Sequence, residues 1–150
     1  MKERVVDTRE YVSILRGIAE EGKVVSLRIA GSSMSPFLCH ERDWIYFTRP
    51  DRALRRGDMV FYQRDTGQYV MHRIYQIRGK EYYMLGDAQT CVEGPLRREQ
   101  IFALIVQVKR KGKILRPGNF WWEFFGRVWI RMRPLLYGVF SAFRRKKIHR

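Results

Sequence analysis

Between Val24 and Leu115 the apolar residues come in short runs, each cut off by a turn signal, and this punctuation constrains the fold more than any other feature of the chain. Val24–Ile29 and Trp44–Phe47 read as strands. Met59–Tyr62 follows Gly57-Asp58, and Tyr69–Ile77 follows the turn Asp65-Thr66-Gly67, so these two runs predict a hairpin. Tyr82–Leu85 ends at Gly86, Ile101–Val108 is a longer run, and Lys111-Gly112-Lys113 turns the chain into Ile114-Leu115. Many short strands with frequent turns predict a mainly β domain with a coiled, barrel-like sheet.

Both ends differ from this pattern. Asp7 or Thr8 can cap a short N-terminal helix with Tyr11, Ile14, Leu15 and Ile18 at helical spacing, and Gly22 stops it. Residues 119–143 carry Phe120, Trp121, Phe124, Phe125, Val128, Trp129 and Met132 at a helical period, with Glu123, Arg127 and Arg131 opposite. Pro134 is expected to kink that amphipathic helix, and the basic cluster Arg144-Arg145-Lys146-Lys147 follows it. The chain thus divides into a helical segment (1–23), a β-domain (24–116) and an aromatic helix with a basic tail (117–150).

With 45% hydrophobic residues in 150, the chain can build a core. Its 30 Lys and Arg against 15 Asp and Glu give a net charge of +15, which draws it to nucleic acid or to an anionic membrane face without choosing between them. Met1–Glu10 has no apolar run, so it is neither a secretory signal nor a membrane anchor, and a cytoplasmic protein is expected. Cys39 and Cys91 are too few for a disulfide framework, and neither has a partner at zinc-ligand spacing, so no metal or other cofactor is expected.

The chemistry concentrates in Gly31-Ser32-Ser33-Met34-Ser35-Pro36. A serine becomes a nucleophile only when a base takes its proton and donors hold the oxyanion. Gly31 lets the backbone come close to a substrate, and Pro36 restricts the turn that presents the hydroxyl. By themselves these six residues also describe an ordinary Gly/Ser/Pro loop.

The order of the segments around them resembles signal peptidase I and its relatives. The resemblance rests on Ser33-Met34-Ser35-Pro36 followed by Leu38, on Asp43-Trp44-Ile45-Tyr46-Phe47, on Gly57-Asp58-Met59-Val60-Phe61 followed by Val70-Met71-His72-Arg73-Ile74, and on Gly86-Asp87 leading into Ile101–Val108. It covers residues 24–108 and implies a serine endopeptidase of the β-fold shared with the self-cleaving repressors, with Ser33 as nucleophile. In the bacterial housekeeping enzymes a lysine stands where His72 stands here. The chain is similar instead to the histidine branch, in which the imidazole is the general base. A neutral imidazole suits that role at neutral pH.

A histidine base needs its second nitrogen held. The resemblance offers Asp87, in Gly86-Asp87-Ala88-Gln89, and Glu93, with Asp87 ahead. Asp43 and Asp58 match turn residues of the family. Some lysine-type relatives place an oxyanion-binding serine two residues before the nucleophile, where this chain has Gly31. The hole would then rest on the Ser33 N–H, with Ser32 or Ser35 helping, and Gly31, Ser32, Met34, Ser35 and Pro36 form the substrate-binding loop.

Unlike signal peptidases, the chain begins with an amphipathic helix rather than a membrane-spanning one. The resemblance therefore implies a soluble offshoot that processes leader or signal-like peptides with small residues before the scissile bond. The C-terminal helix fits three uses: packing on the β-domain, pairing in a homodimer, or lying on an anionic leaflet. Two other functions compete. A nucleic-acid-binding regulator of the repressor type would need a helix-turn-helix domain and an Ala-Gly cleavage loop. Some 23 residues are too few for the first, and Ala30-Gly31 lies too near Ser33 for the second, so nucleic acid is not the expected partner. A peptide-binding pseudoenzyme is opposed by the intact Ser33/His72 pair.

Overall fold

The computed structural model describes residues 8–133. Asp7, the stretch from Pro134 onward and the basic cluster at 144–147 lie outside the described residues. Helix α1 (Thr8–Glu20) leads into eight strands: β1 (Val25–Arg28), β2 (Trp44–Thr48), β3 (Met59–Gln63), β4 (Tyr69–Arg78), β5 (Glu81–Leu85), β6 (Glu93–Arg97), β7 (Ile101–Arg110) and β8 (Lys113–Leu115). A C-terminal helix follows, α-helical at Phe120–Glu123 and π-helical at Phe124–Trp129.

The fold is mainly β, as the turn spacing predicts. The strands form one antiparallel sheet in the order β1-β2-β7-β3-β4-β5-β6, and β8 pairs with β7. The sheet is coiled as expected but stays open: among the described residues β1 and β6 stand at the two ends of this path and do not pair with each other. Bulges at Tyr46/Phe47, Phe61/Tyr62, Ile74/Gln76 and Tyr82/Met84 bend the strands and coil the sheet without closing it.

Coiling gives the sheet two buried faces. In β3, Met59 and Phe61 point into a core with Phe47, Phe102 and Val108, while Val60 and Tyr62 point into a second one with Ile74, Met84 and Leu104. That is why β3 is apolar without alternation: both of its faces are covered.

Helix α1 is anchored by a stripe that shares only Leu15 with the expected one. Val12, Leu15 and Ala19 are buried, whereas Ile14 is 60% exposed and Tyr11 and Ile18 also face outward. Both stripes satisfy the helical period, and contact with the sheet selects the one with smaller side chains. Phe125 of the C-terminal helix enters the same core as α1, so the three sequence segments share one interior. Asn119 caps that helix, its side chain accepting from the N–H groups of Trp121 and Trp122.

Candidate active site

The Ser33 loop is built from its backbone outward. Gly31 adopts φ +87°, a left-handed conformation that any other residue resists, and its N–H donates to Nδ1 of His40 at 2.7 Å. After this turn, Ser35 N–H donates to Ser32 O. The Ser33 N–H donates to no backbone carbonyl among the described residues. Asp43, fully buried, closes the far end of the loop: it accepts from the N–H groups of Cys39 and Lys111 and pairs with Arg42. Burial works against its charge, but Arg42 and the two N–H donors hold its pKa below the usual range.

Ser33 is held from behind. Its carbonyl accepts from the Ala88 N–H at 2.8 Å. Gly86 must be glycine for this approach, because a Cβ there would lie 2.6 Å from the Ser33 oxygen. The 86–89 loop is in turn gripped by the C-terminal helix. Trp129 Nε1 donates to Asp87 O at 2.7 Å, and Arg133 donates to the carbonyls of Ala88 and Gln89.

His72 lies on β4, 3% exposed, beside Arg73. Its partner is one that sequence reasoning missed: the Tyr62 hydroxyl, 3.0 Å from Nδ1. Tyr62 also donates to Glu93 Oε1 at 3.1 Å, and Glu93 is clasped by Arg64 through two bonds of 2.6 and 2.9 Å. Burial pulls against the Glu93 charge, but the Arg64 guanidinium holds the carboxyl below its ordinary pKa, so it only accepts. The single Tyr62 proton therefore goes to Glu93, and the phenol oxygen accepts from His72 Nδ1–H. That tautomer leaves the lone pair on Nε2, as a general base requires. Burial lowers the His72 pKa to about 4, with Arg64 adding to the effect against the pull of Glu93, so the ring is neutral at pH 7. Burial and the nearby Glu93 charge raise the Tyr62 pKa, so the phenol keeps its proton.

The two acids offered as orienters divide. Asp87 bonds Arg73, not His72. Both of its oxygens are taken by the guanidinium at 2.9 Å, and neither side chain of this pair has any exposed surface. Glu93 reaches the imidazole through Tyr62. The signal for Tyr62 lay in the predicted hairpin: in its observed register Val60 faces His72 and Tyr62 faces Val70, so Tyr62 and His72 are diagonal neighbours on one face.

Ser33 and His72 line one cavity of about 370 Å³, together with Gly31, Met34, Met71 and Gln89. Ser32 and Pro36 are exposed beside it, and the Ser35 hydroxyl lies 4.0 Å from Cys39 Sγ, a contact too long to hold it firmly. Asp58 is a turn residue: it pairs with Arg52 and accepts from the Arg55 N–H.

The coiled antiparallel sheet brings a loop serine and a strand histidine to one cavity, and the family to which this sheet belongs is shown by the sequence match. Residues 2–108 match the Peptidase S24-like family, and the chain belongs to it. No curated protein matches the chain. The family match ends within β7, before β8 and the C-terminal helix. Among the described residues no helix is long and apolar enough to cross a membrane.

Proposed function

We propose that the chain is a serine endopeptidase in which Ser33 Oγ attacks a peptide carbonyl and His72 Nε2 takes its proton. The observation that carries this reading is the arginine-held chain Glu93–Tyr62–His72, which leaves Nε2 as the acceptor of an imidazole that lines the same cavity as Ser33. The attack gives a tetrahedral oxyanion, which the free Ser33 N–H stabilises. The imidazolium then protonates the leaving amine, an acyl-enzyme remains, and a water activated by His72 hydrolyses it.

The cavity favours an extended chain as substrate. The outer edge of β1 has no strand beside it, and β4 pairs with β5 only from Arg73 onward, so the β4 edge at 69–72 is also open among the described residues. Both edges border the cavity, and each offers N–H and C=O groups to a peptide strand. Ile29, Ile45, Phe61 and Met71 make part of the wall apolar, beside Arg28 and Arg64, and this apolar part favours uncharged side chains next to the cut. The resemblance to signal peptidases supports a leader or signal-like peptide as the natural substrate.

The test is cleavage of such peptides followed by mass spectrometry, with Ser33→Ala and His72→Ala chains alongside. Each substitution is expected to lower kcat by about 1,000-fold or more while the fold is retained. Undiminished cleavage by the Ser33→Ala chain overturns the assignment.

A further inference from the structure

The C-terminal helix has a face that its packing does not use. Phe125 is buried in the core with strand residues and Ile130 is buried too, but Phe120 is 69% exposed and Trp121 45%, and Val128 and Met132 face outward as well. Exposed aromatic and aliphatic side chains grouped on one helix mark a surface that meets something apolar.

The charge around this face is one-sided. Residues 109–133 carry eight Lys and Arg against a single acid, Glu123, and Arg127 already pairs with that acid. Lys109, Lys111 and Lys113, at the β7–β8 turn, are exposed and make no ion pair among the described residues. The same turn joins the aromatic face through Arg110, whose guanidinium lies 5.6 Å from the Trp121 ring centroid. In sequence, more aromatic residues (Tyr137, Phe140, Phe143) and the cluster Arg144-Arg145-Lys146-Lys147 follow.

We infer that this face docks on an anionic lipid bilayer, with Phe120, Trp121, Val128 and Met132 entering the interface and the lysines of the β7–β8 turn meeting headgroup phosphates. Apolar insertion joined to basic flanks is what interfacial binding needs. Each lysine near the surface adds a contribution that salt weakens. A duplex nucleic acid would use the lysines but has no place for an exposed Phe120, and a second copy of this chain would oppose like charges. The docking is independent of the peptidase reading, since none of these side chains lines the cavity that holds Ser33 and His72.

The experiment is flotation of the full chain with phosphatidylglycerol/phosphatidylcholine vesicles and with pure phosphatidylcholine vesicles at physiological salt. Binding is expected to the anionic vesicles alone, with a blue shift of tryptophan emission. Phe120→Ser with Met132→Ser is expected to weaken it about ten-fold or more, and Lys111→Glu with Lys113→Glu to weaken it as well. Far-UV circular dichroism and the melting temperature check that both variants fold. A Ser33→Ala chain should bind as the unchanged protein does, so a failure of the catalytic assignment leaves this result standing. The proposal is overturned by no binding to the anionic vesicles, or by binding that Phe120→Ser/Met132→Ser leaves unchanged. It is also overturned by duplex DNA binding of equal strength that falls with the same pair, or by a dimer that this pair dissociates.

Discussion

Arg73 and Asp87 form a fully buried, two-point ion pair that ties the strand bearing His72 to the loop supporting Ser33. Arg73 follows His72 directly on β4, and Asp87 precedes Ala88, whose N–H holds the Ser33 carbonyl. The third contact of Arg73 is the carbonyl of Gly57, at the turn into β3. One guanidinium thus spaces the two halves of the site.

Removing one partner leaves the other charge buried without compensation. Asp87→Asn is expected to cost about 3–5 kcal/mol of stability, measured as a shift in the urea midpoint. Arg73→Met combined with Asp87→Leu removes both charges and is expected to cost less than the single change. A double variant less stable than Asp87→Asn contradicts this view of the pair.

Tyr62 contacts His72 and does not line the cavity, so in the proposed mechanism its loss reaches turnover through the imidazole. Tyr62→Phe keeps the ring packing and removes the acceptor for Nδ1–H. A fall of about ten- to a hundred-fold in kcat is expected, with KM nearly unchanged. Glu93→Gln should act in the same direction. If both variants turn over normally, His72 gets its orientation elsewhere.

The pH response follows from burial of the imidazole. The folded His72 pKa, about 4, lies below the ordinary value near 6.5, so the unfolded chain binds the proton first as pH falls. The stability that depends on neutral His72 is therefore whole above about pH 6.5 and is lost towards pH 4, up to about 3 kcal/mol. The free-enzyme profile of kcat/KM should keep its acid limb near pH 4, so cleavage at pH 5.5 stays close to that at pH 7. Urea unfolding of His72→Asn against pH should be flatter across the same interval. An acid limb near 6.5 would show the ring to be solvated during catalysis.

Trp129 and Arg133 hold the 86–89 loop from outside the segment matched to the family. Their hydrogen bonds go to the carbonyls of Asp87, Ala88 and Gln89, so in the proposed mechanism they are positioning residues. Trp129→Phe with Arg133→Gln is expected to lower kcat several-fold and leave KM in place, because the substrate edges at β1 and β4 are untouched. The labelling rate of Ser33 by a fluorophosphonate should fall in parallel. A change confined to KM would locate the effect on substrate binding.

Seven of the eight strands, the hairpin of β3 and β4, and the helices at either end are legible in the sequence, because period and turn chemistry are local properties; β6, whose Glu93-Gly94-Pro95-Leu96-Arg97 has no apolar run, is not. The Ser33 loop and His72 are legible too, through resemblance. Which carboxylate serves which cation is not. Asp87 and Glu93 both follow β5, and nothing in their sequence context distinguishes a partner of Arg73 from a partner of Tyr62. The α1 stripe is ambiguous for the same reason, since Ile14 and Val12 fit the period equally well and only the sheet beneath them chooses.

The sequence by itself determined that this chain folds into short antiparallel strands with a loop serine and a strand histidine, because those features rest on backbone propensity and side-chain type. The tertiary structure decided that the sheet coils without closing, that Tyr62 carries the influence of Glu93 to His72, and that the C-terminal helix grips the loop behind Ser33. Each depends on distances between residues far apart in the chain, and those distances exist only once bulges, packing and buried charge pairs have been satisfied together.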